Sequence, residues 1–215
     1  MSTELAITES SPSPPTSRKV IPNRKGITRE SMRPREYLTA DEVNALSDAA
    51  KNSRNPIRDE AIILLGFRHG LRAAEIVSLK WAMVDLKAGI LHVRRVKGGT
   101  PSTHPLRGPE LRVLNQIRGD QEQKGKATEG YVFVSERGGR MTTSNIGKLI
   151  GKVGKNAGIP FPIHPHMLRH SCGYYLANDG QDTRAIQHYL GHVNIQHTVR
   201  YTEFSPDRFK HFFKD

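Results

Sequence analysis

Between Pro165 and Tyr201 the chain is cut into short helices, and the cuts fix where its most reactive side chains must fall. Pro165 suits a first helical turn, because its missing N–H is one of the donors that a helix start leaves unbonded. His166 and Arg169, three residues apart on that helix, share one face about a turn apart. The same helix start offers free amides to an anion. Gly191 permits a tight turn after Leu190 and presents His192 as the next helix begins, and Tyr201 follows nine residues later. Two histidines and an arginine, all able to hold phosphate oxygens, are thereby directed toward one tyrosine. A tyrosine hydroxyl titrates near ~10 and is a weak nucleophile unless its surroundings activate it. Cationic donors gathered around a phosphodiester supply such surroundings.

The rest of the chain reads as helices with a small sheet. Thr39-Ala40-Asp41-Glu42 is a capping box, and Val43, Leu46 and Ala50 mark one helical face behind it. Asn55-Pro56 offers a cap and a first-turn proline for a helix running through the apolar 61–67 stretch to Gly70. A short helix is predicted from Ala73 to Leu79, just after Arg72. Gly89 to Val96 is β-branched and alternating, Lys97-Gly98-Gly99-Thr100 breaks it, and Ser102 to Pro105 resumes extended chain. That pattern is a hairpin with Lys97 at or near its turn. Pro109 to Gln123 is predicted helical, Tyr131 to Val134 a short strand, and Thr143 to Asn156 helical in spite of its glycines. Helices over 166–178, 182–190, 194–201 and 205–213 complete the chain, with no internal repeat.

Charge narrows the partners. The 215 residues carry 33 Lys+Arg against 21 Asp+Glu, a net +12 and a pI near 10.0, which favours a polyanion. The single cysteine, Cys172, excludes an intramolecular disulfide, suits a reducing cytoplasm and is expected to be a buried small hydrophobe. The longest apolar run, Ala61 to Leu65, is too short to span a bilayer, and no signal peptide is visible after Met1. Residues 1–36 form a separate zone. Its stretch from Ser10 to Ser17, rich in Ser and Pro, cannot build a core. Beyond it, Arg18, Lys19, Arg24, Lys25, Arg29, Arg33 and Arg35 face one acid, Glu30. These cations read either as a solvated tail or as a DNA-contacting arm.

In order, Arg72 within Gly70-Leu71-Arg72-Ala73-Ala74-Glu75, Lys97 in the hairpin, His166-Met167-Leu168-Arg169-His170, Leu190-Gly191-His192 and Tyr201 resemble the active-site signature of the tyrosine recombinases, the phage integrase family. The stretch from His164 to Gly173, Asp182-Thr183-Arg184, Tyr189 to His192 and Thr103 to Leu106 are similar in particular to the short recombinases that invert bacterial fimbrial promoters. The resemblance runs from about residue 37 to the C-terminus. It implies a mainly α fold with a small antiparallel β-sheet (α+β), the integrase catalytic domain, over 37–215. Ahead of it, 1–36 would be a disordered or extended basic arm, in place of the helical domain with which larger integrases close around DNA. The arm would partly compensate for that domain.

The activity implied is site-specific cleavage and rejoining of DNA through a 3′-phosphotyrosine, with integration or inversion as the outcome. Arg72 and Arg169 would each aim a planar donor fork at the scissile phosphate, a geometry lysine cannot supply. His192 would donate a further hydrogen bond, and His166 would contact the phosphate or relay the tyrosine proton. Lys97 would be the general acid that protonates the departing 5′ oxygen, since a guanidinium does not give up its proton. Tyr201 would attack in line. Glu75 would hold Arg72 from one turn away, and His170, on another face from Arg169, would support the site structurally.

Because the bond energy stays in the covalent link, neither ATP nor a cofactor is expected. The pairs His166/His170 and His188/His192 have a spacing that zinc uses, but no third-ligand motif accompanies them and two arginines would repel a cation, so no metal is expected. The implied partners are double-stranded DNA, further copies of the chain forming a tetramer on paired sites, and accessory DNA-bending proteins, with no membrane. Phe204, Phe209, Phe212 and Phe213, in the 204–215 terminal helix, would dock into a neighbouring subunit. A cytoplasmic protein, on the nucleoid when bound to DNA, is expected. A type IB topoisomerase shares the Arg, Lys, Arg, His, Tyr chemistry, but His166 and Leu190-Gly191-His192 favour a recombinase. A regulator with a vestigial site would lack one of these positions, and an RNA-binding protein would explain the charge but not the ordered set.

Overall fold

The first helix begins where the capping box requires. In the computed structural model, which describes residues 35–96, 98–125 and 130–203, the Thr39 hydroxyl accepts from the Glu42 amide at 3.3 Å. Glu42 returns the favour, accepting from the Thr39 amide at 2.9 Å. Helix α1 (Ala40–Lys51) then buries Val43, Leu46 and Ala50, the face predicted from their spacing. Helix α2 (Pro56–Arg68) starts on its proline, but Asn55 makes no cap. Its amide instead donates to Glu136 at 3.2 Å. Ala61, Ile62, Ile63 and Leu65 are wholly buried, because α2 is packed on several sides, by α1, by α4 (Gly108–Gln123) and by α6 (Pro165–Asn178). Each such aliphatic side chain is worth about 1.5–3 kcal/mol relative to leaving it in water.

Helix α3 (Ala73–Val77) leads through a 3-10 turn, Trp81–Met83, into the sheet. Strands β1 (Val84–Asp85), β2 (Ile90–Val93) and β3 (Ser102–Pro105) are antiparallel in that order. The predicted hairpin is present, with Ile90 opposite Pro105 and Val93 opposite Ser102. Lys97 lies outside the described residues. Strand β1 was not predicted, since two residues carry no alternation. The strand expected at Tyr131–Val134 is absent. Isolated bridges join Lys80 to Tyr131 and Val134 to Arg140, but the chain beside them turns into the 3-10 segment and offers no extended partner. Val132 and Phe133 are consecutive and both fully buried, whereas a pleated strand alternates.

Helices α5 (Thr143–Asn156), α6, α7 (Thr183–Leu190) and α8 (Gln196–Thr202) follow the predicted order. The helix predicted at 205–213 and its phenylalanines lie outside the described residues, as do residues 1–34. The described residues all belong to one compact unit, Arg35–Asp215. Arg35 is tied into it by an ion pair with Glu42 and lies with its guanidinium 5.3 Å from the Phe161 ring. Buried apolar residues fall into a large cluster spanning α1 to α6 and the sheet. A smaller one is made by Cys172, Ala177, Ile186, Leu190 and Tyr201. Cys172 is buried as expected, and burial pushes its thiol up to about 12. Among the described residues no helix is long and apolar enough to cross a membrane.

Candidate active site

Arg72 stands at the N-cap of α3, and Glu75 one turn on holds it twice. One carboxylate oxygen accepts from the Arg72 amide at 3.0 Å and the other from Nη1 at 2.9 Å. The same carboxylate accepts from Arg95 Nη1 at 3.0 Å and from the Val96 amide at 3.2 Å. Glu75 therefore joins Arg72 to the chain immediately before Lys97. Burial opposes ionisation of Glu75, but the Arg72 amide and the Arg95 charge outweigh it and its pKa is lowered.

Arg169, predicted one turn from His166, is buried on α6 with 1 % of its surface exposed. Nη1 donates to the Gly70 carbonyl at 2.6 Å and Nη2 to the Leu190 carbonyl at 2.6 Å, so the fork is fixed from two elements at once. Burial, with Arg72 and Arg95 nearby, brings its pKa down to about 10. Three guanidinium groups, from Arg72, Arg95 and Arg169, thus crowd around one buried carboxylate, Glu75. That uncompensated positive charge is what an incoming phosphate would neutralise.

Gly191 ends α7 at φ 66°, a left-handed conformation that favours glycine. A Cβ there would stand 2.6 Å from Arg95 Cγ and 2.9 Å from the Thr100 carbonyl, so bare backbone is needed where the β2–β3 connection meets α7. His192 follows, its Nδ1 2.8 Å from the Thr198 hydroxyl, which pins the ring. Burial, then Arg169 and Arg72, lowers His192 to about 3. His166 is exposed at the start of α6 and its pKa falls to about 4, through desolvation of the ring and then through Arg169 and Arg72. Both rings are neutral hydrogen-bonding groups near neutral pH.

Tyr201 on α8 is 1 % exposed. Its hydroxyl lies 2.9 Å from His170 Nδ1, and the Arg200 guanidinium covers its ring at 5.3 Å. His170, expected to support the site from another face, thus touches the tyrosine oxygen directly. Among the described residues no group of three or more His, Cys, Asp or Glu is arranged to hold a metal ion. Arg72, His166, Arg169, His192 and Tyr201 are brought together with Glu75 and His170. Lys97 and the cations from Arg18 to Arg33 lie outside the described residues.

Two neighbours escaped sequence reasoning. Arg95 is buried and also donates to the carbonyls of His69 and Tyr189. Its signal was legible: Leu91, Val93 and Arg95 alternate on one side of β2 and its extension, and an arginine on a buried face calls for a partner. Arg200 gave no signal beyond standing next to Tyr201.

The phage integrase family model matches residues 36–208. The chain belongs to the phage integrase family. It is a tyrosine recombinase, and the motifs quoted above occur in that family's order. The type 1 fimbriae regulatory protein FimE of Escherichia coli strain K12 is 43% identical over 179 residues, covering 83% of this chain and 90% of that protein. FimB of the same strain is 42% identical over 175 residues, covering 81% and 88%. The crystal structure of XerA recombinase superposes with a TM-score of 0.71 at 32% identity, over 81% of this chain and 62% of that one. This tyrosine recombinase thus spans nearly all of its fimbrial relatives but less than two thirds of XerA.

Proposed function

We propose that the chain is a site-specific DNA recombinase that cleaves and rejoins strands through a 3′-phosphotyrosine, with Tyr201 as nucleophile. The observation that carries this reading is the buried Tyr201 hydroxyl on His170 Nδ1, close to Arg169, which in turn lies near the Arg72 and Arg95 guanidinium groups that share the Glu75 carboxylate. Arg72 and Arg169 bind the non-bridging oxygens of the scissile phosphate, His192 and His166 add hydrogen bonds, and Lys97 protonates the departing 5′ oxygen. Glu75 keeps Arg72 aimed. A phosphodiester brings the negative charge that this cluster lacks, and charge developing in the transition state is stabilised further.

DNA inversion at paired sites is the outcome we assign, on the strength of the similarity to FimE and FimB. Four copies acting on two sites, joined through the Phe-bearing 204–215 segment and aided by DNA-bending proteins, complete the proposal. The basic arm, expected over 1–36 but taken as 1–34 because Arg35 belongs to the folded unit, supplies sequence-independent affinity through its cations.

Covalent capture tests it. The wild-type chain should become joined to genomic DNA at discrete sequences in a denaturant-resistant complex, and Tyr201→Phe should bind DNA without forming any. An adduct in Tyr201→Phe would remove Tyr201 from the role. Relaxation of any supercoiled plasmid, with no preferred sequence, would point to a topoisomerase instead.

A further inference from the structure

The reaction must move the tyrosine proton somewhere. Burial raises the pKa of Tyr201 in spite of Arg200 and Arg169 nearby, so the hydroxyl enters the reaction protonated. Nδ1 of His170 lies 2.9 Å from it. The pair is held by shape: a Cβ on Gly173 would come within 2.5 Å of Tyr201 Cε2 and 2.7 Å of Cζ. The phenol ring therefore rests on bare backbone of α6, one turn beyond His170, and Tyr174 closes its edge at a centroid distance of 5.1 Å. Arg200 Nη2 stands 2.7 Å from Nδ1 and 2.9 Å from Nε2 of His170. Arg200, which can only donate, and the Tyr201 hydroxyl thus both face Nδ1, which suits that nitrogen to the role of acceptor.

We propose that His170 is a catalytic residue: its Nδ1 takes the phenolic proton of Tyr201 as the tyrosine oxygen bonds to phosphorus, and returns it on religation. This rests on the strand-transfer reading above. In cleavage the Oη–P bond forms, the P–O5′ bond breaks, the tyrosine proton passes to His170, and the departing oxygen takes a separate proton from Lys97. In religation each transfer runs backward. His166, whose ring stands edge-on to His170 at 4.5 Å, is then left to the phosphate with Arg72 and Arg169.

The groups facing His170 set how basic its ring is. Burial, then Arg200, His166, Arg169 and His164, hold its pKa at about 3. A phosphodiester seated on Arg169 offsets that cation's share of the shift, though not the burial that comes first, and makes the ring a better acceptor.

The test uses the full chain and a nicked duplex carrying a sequence at which the wild type is captured. His170→Asn keeps a polar atom near the position of Nδ1 but cannot take up a proton. Its adduct formation should slow by about 100-fold or more with its melting temperature little changed. A difluorotyrosine at position 201, whose hydroxyl ionises more readily, should restore most of that loss. Independently, Arg200→Gln removes the cation beside the ring and should move the acidic limb of the cleavage pH profile to higher pH. Wild-type rates in His170→Asn, or a folded His170→Asn that difluorotyrosine does not rescue, would overturn the role. An acidic limb unmoved in Arg200→Gln would do the same if His170→Asn does not fold. If the wild type forms no adduct, the strand-transfer reading itself fails. If it does, and both variants match it, only the role of His170 falls.

Discussion

Glu75 is the residue on which Arg72, Arg95 and the chain before Lys97 converge. Its two oxygens hold the Arg72 backbone and side chain, Arg95, and the Val96 amide. One carboxylate thus sets a phosphate-binding fork and anchors the residue that precedes Lys97. This shared anchor holds Val96 beside Arg72 and Arg95. With Lys97 as the proposed general acid, Lys97→Ala should cleave normal DNA poorly yet act far better on a substrate whose 5′ leaving oxygen is replaced by sulfur, which departs without a proton. Single-turnover cleavage of the two substrates checks this, and equal impairment on both would show Lys97 to be a DNA contact.

At the level of elements, the site is made where the end of α7 meets the β2–β3 connection. Gly191 is the contact point, and Ala there faces two costs. Its φ of 66° disfavours a side chain by roughly 1–2 kcal/mol. Its Cβ would also press on Arg95 Cγ at 2.6 Å. Relief would move His192 or Arg95, and a shift on the order of 1 Å can cost about 100-fold in rate. Gly191→Ala should lose cleavage much more than DNA binding, compared by adduct yield and gel shift on one duplex. Equal loss in both would place the damage in folding.

For the whole molecule, acid is the condition to examine. Burial comes first among the causes that lower His104 to about 3 and His170 to about 3, from 6.5 when unperturbed. Folded pKa values below the unfolded ones mean that the unfolded chain binds protons the native protein refuses. Stability is then complete above about pH 6.5 and falls as pH drops toward 3, by up to ~1.4 kcal/mol per pH unit for each of the two. His192 adds less, because it is partly exposed and solvent screens it. Melting temperatures measured from pH 8 to pH 5 should begin to decline near 6.5, and a flat profile would contradict the burial of these rings. Removing residues 1–34 deletes six cations between Arg18 and Arg33, so DNA binding should weaken and its salt dependence become shallower. The capped α1 and the core beyond it should keep the shortened protein folded.

Local chemistry made much of this legible from sequence alone. The capping box at Thr39, the buried stripe of Val43, Leu46 and Ala50, and the hairpin around Lys97 depend on neighbours a few residues apart, which the sequence displays directly. The order of Arg72, His166, Arg169, His192 and Tyr201 declared the family, with Arg72 and His166 at helix starts, Arg169 one turn inside α6 and His192 just beyond the end of α7. Tertiary structure decided what lies between those residues. Tyr131–Val134 is no strand, because its fate rested on whether another segment ran alongside. Arg95 joined the site because its strand turned that face inward against Glu75. His170 met the Tyr201 hydroxyl across 31 residues of sequence, because Gly173 lets the phenol ring lie against α6. Contacts of that kind arise only when separate helices pack, and helical periodicity within either segment carries no record of them.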